Sequence, residues 1–306
     1  MPRIAAAAYA CEFLGAWSAY EAKIARWVAD AAGQGAELLV FPEWAGLELA
    51  TFDGRETAAG AESCIDAQTR WLPQADALHA RLAAENGVHI CAASALVRRE
   101  DGQAVNRARL FAPSGAIGVQ DKLVMTRYER EVLDIRPGDQ ARVFDTALGR
   151  IAIAICYDAE FPLIARAMVE AGAQIILAPS CTEGLQGYWR VRIGAQARAM
   201  EGQCITVQSP TVGRADWNEA IDVTTGAAGI FCPPDRGFPP TGILALGQID
   251  APGWVLADAD LGAVAGVRRD GGVLNMTHWP EQQDGRLSRL ETVDLRTGAA
   301  RSTAAE

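Results

Sequence analysis

The sequence predicts a layered α/β fold built as one large domain of 306 residues, and three observations carry that reading. Short runs of β-branched and aliphatic residues alternate with stretches of helical periodicity almost to the end of the chain. Hydrophobic residues make up 50% of the composition and charged residues 22%, enough apolar surface for a sizeable core and too little charge for a disordered chain. No fixed-period repeat and no long Pro/Ser/Gly linker separates two halves.

Residues 18–32 place Ile24, Trp27, Val28 and Ala31 on one helical face, and Gly33 and Gly35 stop this helix ahead of the buried-type strand Leu38-Leu39-Val40-Phe41. Further strands are expected at His89–Val97, Arg107–Ala112, Arg150–Ile155, Gln174–Ala178, Ile205–Ser209 and Trp254–Ala257, with helices at 66–86, 160–171 and 188–202. Residues 210–242, rich in Gly, Pro, Thr and Asp, read as extended surface connections with one short strand at Gly229–Cys232. The main domain is placed at 1–270. Beyond it the composition turns polar, and 271–306 reads as a tail or as an arm that packs on a partner subunit.

A formal charge of −10 argues against the broad basic face that nucleic acid or an anionic membrane requires, leaving a small molecule or another protein as the expected partner. No apolar stretch reaches the roughly 18 residues of a bilayer span. The alanine-rich run Ile4–Ala8 gives way to polar and acidic residues at Tyr9–Glu12 without a cleavage site, so no export signal is read. The cysteines at 11, 64, 91, 156, 181, 204 and 232 are odd in number and form no CxxC pair, which fits a reducing cytoplasm better than a disulfide framework or zinc knuckle. Gly33-Gln34-Gly35 follows a helix and precedes a strand, the reverse of a dinucleotide fingerprint. No phosphate loop and no GxSxG elbow occurs. His79, His89 and His278 lack metal-ligand spacing and read as ordinary surface or half-buried histidines.

Chemistry gathers elsewhere. The strand Arg150–Ile155 ends in Cys156-Tyr157-Asp158, with Glu160-Phe161-Pro162 and a helical pattern behind it, so a thiol stands at the C-terminal end of a core strand, where open α/β folds place reactive groups. Taken alone, such a cysteine reads as a small buried apolar residue. The strand Leu38–Phe41 ends likewise in Pro42-Glu43-Trp44, and Asp121-Lys122-Leu123 follows the strand Arg107–Ala112 and its Pro113-Ser114-Gly115 turn. Taken alone, Glu43 and Lys122 each read as solvated charges.

Phe41-Pro42-Glu43, Asp121-Lys122 and Cys156-Tyr157-Asp158-x-Glu160-Phe161-Pro162 together resemble, in chain order and spacing, the three signature segments of the nitrilase, or carbon-nitrogen hydrolase, superfamily. Ala178-Pro179-Ser180, Tyr188-Trp189-Arg190-Val191-Arg192 and Ala197-Arg198-Ala199-Met200-Glu201-Gly202-Gln203 resemble the segments that follow the nucleophile, so the likeness runs over about residues 3–265. It implies a four-layer αββα sandwich with Glu43, Lys122 and Cys156 as catalytic triad and Glu129 as a second glutamate, Glu131 being its rival. Cys156 would attack as a thiolate favoured by the Lys122 ammonium. Lys122 and the Tyr157 N–H would hold the oxyanion, and Glu43 would move the protons. These steps need no metal and no organic cofactor.

True nitrilases of the superfamily carry Trp-Glu directly after the nucleophile, whereas Tyr157-Asp158 resembles the amidase and carbamoylase branches. The expected reaction is therefore hydrolysis of a small linear amide to acid and ammonia through a cysteine thioester. N-carbamoyl hydrolysis is the alternative on the same triad, and nitrile hydrolysis ranks lower. A non-catalytic binding or interaction member would have lost a triad residue, and none is lost. Tyr157, Trp189, Glu160, Tyr128 and Thr182 are the expected substrate-binding residues, with Trp44, Glu48 and Tyr188 as further pocket candidates and Cys181 as a neighbour of the nucleophile or a second buried thiol. The resemblance also implies a homodimer or higher homo-oligomer, for which 160–171 and 188–202 are the candidate surfaces.

Overall fold

Strands whose residues are buried on both faces need cover on both faces. The computed structural model, which describes residues 1–283, 285, 287–296 and 299–301, shows how that cover is supplied. In chain order the strands of the two large sheets are β1 Arg3–Ala8, β2 Leu38–Val40, β3 His89–Arg98, β4 Ala104–Phe111, β5 Ile117–Asp121, β6 Val143–Thr146, β7 Gly149–Ile153, β8 Ile175–Ser180, β9 Ile205–Pro210, β10 Gly229–Phe231, β11 Ile243–Leu246 and β12 Gly253–Asp258. The helices that cover the sheets or carry the site are α1 Trp17–Gly33, α2 Ala61–Asn86, α3 Arg127–Glu131, α4 Pro162–Glu170, α5 Leu185–Glu201 and α6 Leu261–Asp270. One six-stranded sheet runs β12-β1-β2-β3-β4-β5 and the other β11-β10-β9-β8-β7-β6. In each, three central strands are parallel, β1-β2-β3 and β7-β8-β9, and the outer ones are antiparallel.

Period-two alternation sorts the side chains into layers. Ile4, Ala6, Leu38 and Val40 of the first sheet meet Ile151, Ile153, Ile175, Leu177, Ile205 and Val207 of the second in one buried cluster between the sheets. The opposite residues of the first sheet, Ala5, Ala7, Leu39 and Ile90, pack on Ile24 and Val28 of α1 and Leu78 and Leu82 of α2. Ala152, Ala154 and Ile176 of the second sheet pack on Ala165, Met168 and Val169 of α4. Phe231 packs on Ala195 and Ala199 of α5. The architecture is thus a four-layer αββα sandwich. At the strand ends the sheets are stitched together: Tyr9 bridges Thr211, and the Ser209 hydroxyl donates to both Ala7 O (2.7 Å) and Val40 O (2.9 Å).

Several expectations need correction. The Ile4–Ala8 run is a central strand, although alanine favours strands poorly, because small side chains fit where one sheet faces another. Helix α2 begins at Ala61 and carries Pro73 inside it. The expected 188–202 helix starts at Leu185, and the segment Cys156–Glu160 is a tight 3₁₀ turn ahead of α4. Residues 210–242 are not a surface connection throughout, since Thr211, Val212, Ala215, Trp217, Ile221, Thr224, Ala227 and Ala228 are buried. His79 and His89 are buried rather than superficial; His79 stacks on Phe111, and its burial pushes the imidazole down to about 4. In the 271–306 segment, residues next to the main body dock on it: Met276 packs near α4, and the Arg166 guanidinium lies 4.5 Å from the Trp279 ring centroid. Residues 284, 286, 297, 298 and 302–306 of that segment lie outside the described residues. No helix among the described residues is long and apolar enough to cross a membrane.

Candidate active site

Glu43, Lys122 and Cys156 each stand just past the C-terminal end of a strand, β2, β5 and β7 respectively, so the packing of the two sheets brings three distant segments to one point. The Lys122 ammonium lies 2.7 Å from Glu43 Oε1 and 2.7 Å from Glu129 Oε2. The Cys156 thiol donates to the carbonyl of Cys181 at 3.8 Å and lies near enough to the Glu43 carboxylate for each to shift the other's titration. The other Glu43 oxygen accepts the backbone N–H of Cys181 at 2.9 Å, just past β8. All four side chains are buried, none more than 4% exposed.

The local backbone is bent to make this possible. Cys156 sits at φ +49° and Trp44 at φ +63°, left-handed conformations that cost a non-glycine residue on the order of 1–3 kcal/mol and persist where surrounding contacts hold them. Two devices hold the Cys156 turn. Asp158 accepts from the backbone N–H groups of Leu123, Val124 and Ile155, tying the Cys156 turn to the segment that carries Lys122. Helix α5 presses on the same turn through Gly194, where a Cβ would meet Ala159 O at 2.8 Å. Burial pushes the Asp158 carboxyl up to about 7. On the other side, the Trp44 N–H donates to Ser94 Oγ at 3.1 Å.

Glu129 is the N3 residue of a capping box on α3: Thr126 N–H donates to its carboxylate at 2.8 Å while Thr126 Oγ1 accepts from Glu129 N–H. The carboxylate that starts this helix is the one that holds Lys122. The rival Glu131 points to solvent and pairs with Arg127. Asn106, on β4 and wholly buried, donates to both Glu43 Oε1 (2.9 Å) and Glu129 Oε1 (3.0 Å) and so sets the distance between the two carboxylates.

Charge follows from this geometry. Burying an ammonium costs several kcal/mol, about what one carboxylate near 4 Å returns at an effective dielectric of about 20. The second carboxylate decides the balance, and although burial opposes its charge, Lys122 is held well above the ordinary lysine range. Burial raises Glu43 despite Lys122 beside it, whereas at Glu129 the ammonium and the bonds from Asn106 and Thr126 outweigh burial and hold the carboxyl low. Burial, and then the Glu43 charge, push the Cys156 thiol well up. Both causes work against the expected thiolate, and Lys122, the cation that favours it, is already shared by two carboxylates.

Cys156 opens into a cavity of about 420 Å³ that Tyr128, Tyr157, Glu160 and Thr182 also line, as do Trp44 and Cys181. The expected Trp189 is not among its lining; it is 44% exposed on the outer face of α5 with Arg192 against its ring. Tyr188 and Glu48 are buried away from it, Glu48 in an ion pair with Lys23. Sequence reasoning missed Asn106, Thr126, Glu183 and the role of Arg190, which pairs with Glu160 at 3.4 Å on the cavity wall. Thr126-x-x-Glu129 is a capping-box pattern that would have chosen Glu129 over Glu131. No comparable local signal marks Asn106. Among the described residues, no group of three or more His, Cys, Asp or Glu side chains is arranged to hold a metal ion.

The family model for carbon-nitrogen hydrolases matches residues 4–232. The chain belongs to that family. A Bacillus subtilis protein named "Probable hydrolase YhcX" is 40% identical over 237 residues, covering 78% of this chain and 45% of that protein, so the chain spans less than half the length of this relative. A bifunctional nitrilase/nitrile hydratase of Nicotiana tabacum is 28% identical over 289 residues, covering 85% of this chain and 78% of that one. Among solved structures, a carbon-nitrogen hydrolase from Helicobacter pylori superposes with a TM-score of 0.73 at 19% identity, covering 94% of this chain and 95% of that chain. A mutant amidase from Nesterenkonia sp., with acrylamide added at its active-site cysteine, gives 0.66 at 21% identity over 88% of this chain and 98% of that chain. At these identities the two structures share the nitrilase-type fold with this family member.

Proposed function

We propose that this carbon-nitrogen hydrolase cleaves small linear amides to acid and ammonia through a thioester on Cys156. The carrying observation is the convergence of a thiol, a neighbouring carboxylate and a doubly paired ammonium at the wall of one cavity. As Cys156 Sγ bonds to the amide carbon, its proton passes to Glu43, the raised carboxyl being suited to accept it. Glu43 is then neutral, Lys122 loses one of its two counter-charges, and its ammonium is released toward the oxyanion just as that charge develops. The Tyr157 N–H, at the start of the 3₁₀ turn, is the second donor. The carbon–nitrogen bond breaks as Glu43 returns the proton to the leaving nitrogen, giving ammonia and the thioester. Water, deprotonated by Glu43, adds to the thioester carbon, and the acid leaves as the thiol is restored. Glu129 acts through Lys122 as a positioning residue. Support from relatives is of the same kind: a cysteine of the Nesterenkonia amidase takes an amide-bearing reagent.

Cys156→Ala should abolish ammonia release from a panel of aliphatic amides and abolish alkylation by iodoacetamide at that site; full activity in the variant would overturn the mechanism. Carbon dioxide released with the ammonia would move the reading to N-carbamoyl substrates. We further propose that two copies pair through α4 and α5, whose outer faces expose Leu163 (73%) and Ile193 (62%), and sedimentation at micromolar concentration checks this.

A further inference from the structure

Asn106 bonds to all three charged residues of the cluster. Its backbone carbonyl accepts the Lys122 N–H at 2.9 Å, and its side-chain amino group gives one hydrogen to Glu43 Oε1 and the other to Glu129 Oε1. The side-chain oxygen, wholly buried, has no partner among the described residues. An unpaired buried acceptor destabilises a fold, so the amide is held by the two bonds its amino group makes. Turning it over would lay its oxygen against two carboxylates.

A carboxylate has about four acceptor sites, two on each oxygen. Among the described residues, four donors meet Glu129: Asn106 on Oε1, and Lys122, the Thr126 N–H and the Thr126 hydroxyl on Oε2. Three meet Glu43: Lys122 and Asn106 on Oε1, and the Cys181 N–H on Oε2. Oε1 of Glu43 is therefore full, and Oε2 keeps one site open. Cys181, which donates to Oε2 at 2.9 Å, also accepts the Cys156 thiol with its carbonyl at 3.8 Å, so the open site and the thiol proton meet at one residue. Burial opposes charge on Glu129, yet Lys122 and then the bonds from Asn106 and Thr126 hold its carboxyl low, which keeps it out of the proton's path.

We infer, resting on the amidase reading, that Asn106 is a positioning residue: it fills Oε1 of Glu43 and one site of Glu129, so that the proton leaving Cys156 is taken by Oε2 of Glu43. The S–H bond breaks and an O–H bond forms at Oε2 as Sγ bonds to the amide carbon. The same proton leaves Oε2 for the nitrogen when the carbon–nitrogen bond breaks. Without the Asn106 amino group, both carboxylates lose a bond to their charged forms, and two like charges on one ammonium hold a proton to higher pH. The base is then blocked over a wider range. The titratable groups that face Glu43 are Lys122 beyond β5, Glu129 of α3, Cys156 and Asp158 of the turn after β7, and Cys181 after β8.

The test compares wild type with Asn106→Leu, which branches at the same carbon but donates nothing, and Asn106→Ser, which keeps one donor. Two rates are followed against pH: kcat/KM for ammonia release from an aliphatic amide, and alkylation of Cys156 by iodoacetamide with peptide mapping, which needs the base but no turnover. The acidic limb of both should move up by about one to two pH units in Asn106→Leu, and by less in Asn106→Ser. Limbs that stay in place while only the plateau falls would overturn the inference, since a merely structural residue lowers rate without moving a midpoint. A limb belonging to Asp158, which is bound by Leu123, Val124 and Ile155 and not by Asn106, would likewise stay. A shifted alkylation limb with no amide hydrolysed upholds Asn106 and overturns the amidase reading alone. Unshifted limbs with full wild-type turnover do the reverse, and a Cys156 that neither turns over amides nor reacts overturns both. Circular dichroism checks folding; should Asn106→Leu not fold, Asn106→Ser carries the test.

Discussion

The chain contains two lysines, Lys23 and Lys122, and both are buried against carboxylates, yet only one belongs to the proposed catalytic cluster. Lys23 lies 2.6 Å from Glu48, 2.9 Å from Glu12 and 2.8 Å from the Ala10 carbonyl, which uses all three ammonium donors. Its carboxylate Glu48 is further occupied by the Tyr9 hydroxyl and the Glu12 N–H. Lys122 gives two of its three donors to Glu43 and Glu129, and one of those carboxylates also neighbours the Cys156 thiol. A closed cluster fixes structure. A cluster with a spare donor and a transferable proton beside a cavity can follow charge as it moves. The difference lies in how many bonds are left to make, not in depth of burial, since both lysines are no more than 4% exposed.

The largest test of this contrast is Lys122→Met, expected to lower kcat on the order of 10²–10³ through loss of oxyanion support alone, and steady-state assay of ammonia release measures it. Next comes Glu129→Gln, which removes one charge-assisted bond of about 1.5–3 kcal/mol, roughly 10–100-fold in rate. Because it also withdraws one of the two charges that hold Lys122 up, an alkaline limb should appear at lower pH than in the wild type, which a merely structural loss would not produce. Third is the wild-type pH profile. Burial raises Glu43, and the base must be deprotonated to accept from Cys156, so kcat/KM should fall about tenfold per pH unit below a midpoint above the ordinary carboxylate range. The smallest effect on rate belongs to Lys23→Met: activity per folded molecule within roughly twofold, although leaving the buried Glu48 without its cation costs up to about 3–5 kcal/mol of stability, seen as a lower Tm. A Lys23 variant that loses catalysis as Lys122→Met does would break the comparison.

How far the sequence discloses this site depends on whether a residue's neighbours are local. Glu43, Lys122 and Cys156 are legible because each follows a strand within a short recognisable segment. The alternating layers are legible for the same reason, since runs such as Ile151–Ile155 are buried on both faces. Asn106 is not, because it lies just ahead of the expected strand Arg107–Ala112 and nothing local marks it until the fold extends that strand to Ala104 and brings carboxylates from two other segments onto it. The burial of Thr211, Thr224 and Thr225 is hidden by a composition that resembles a surface loop; it comes from their place beside the strand ends and the cavity wall, where Thr182 donates to Thr225 O. Trp189 illustrates the reverse error. Its segment is right, but a helix has two faces, and the next residue, Arg190, is the one that reaches the cavity.

The central claim is that Cys156 is acylated within this buried cluster. Mass spectrometry of protein quenched during turnover of an aliphatic amide, with peptide mapping, tests it directly. The account predicts an acyl adduct on the peptide bearing Cys156, absent in Cys156→Ala and lost on standing as the thioester hydrolyses. Unmodified Cys156 under rapid turnover, with Cys156→Ala still releasing ammonia at the wild-type rate, would contradict it.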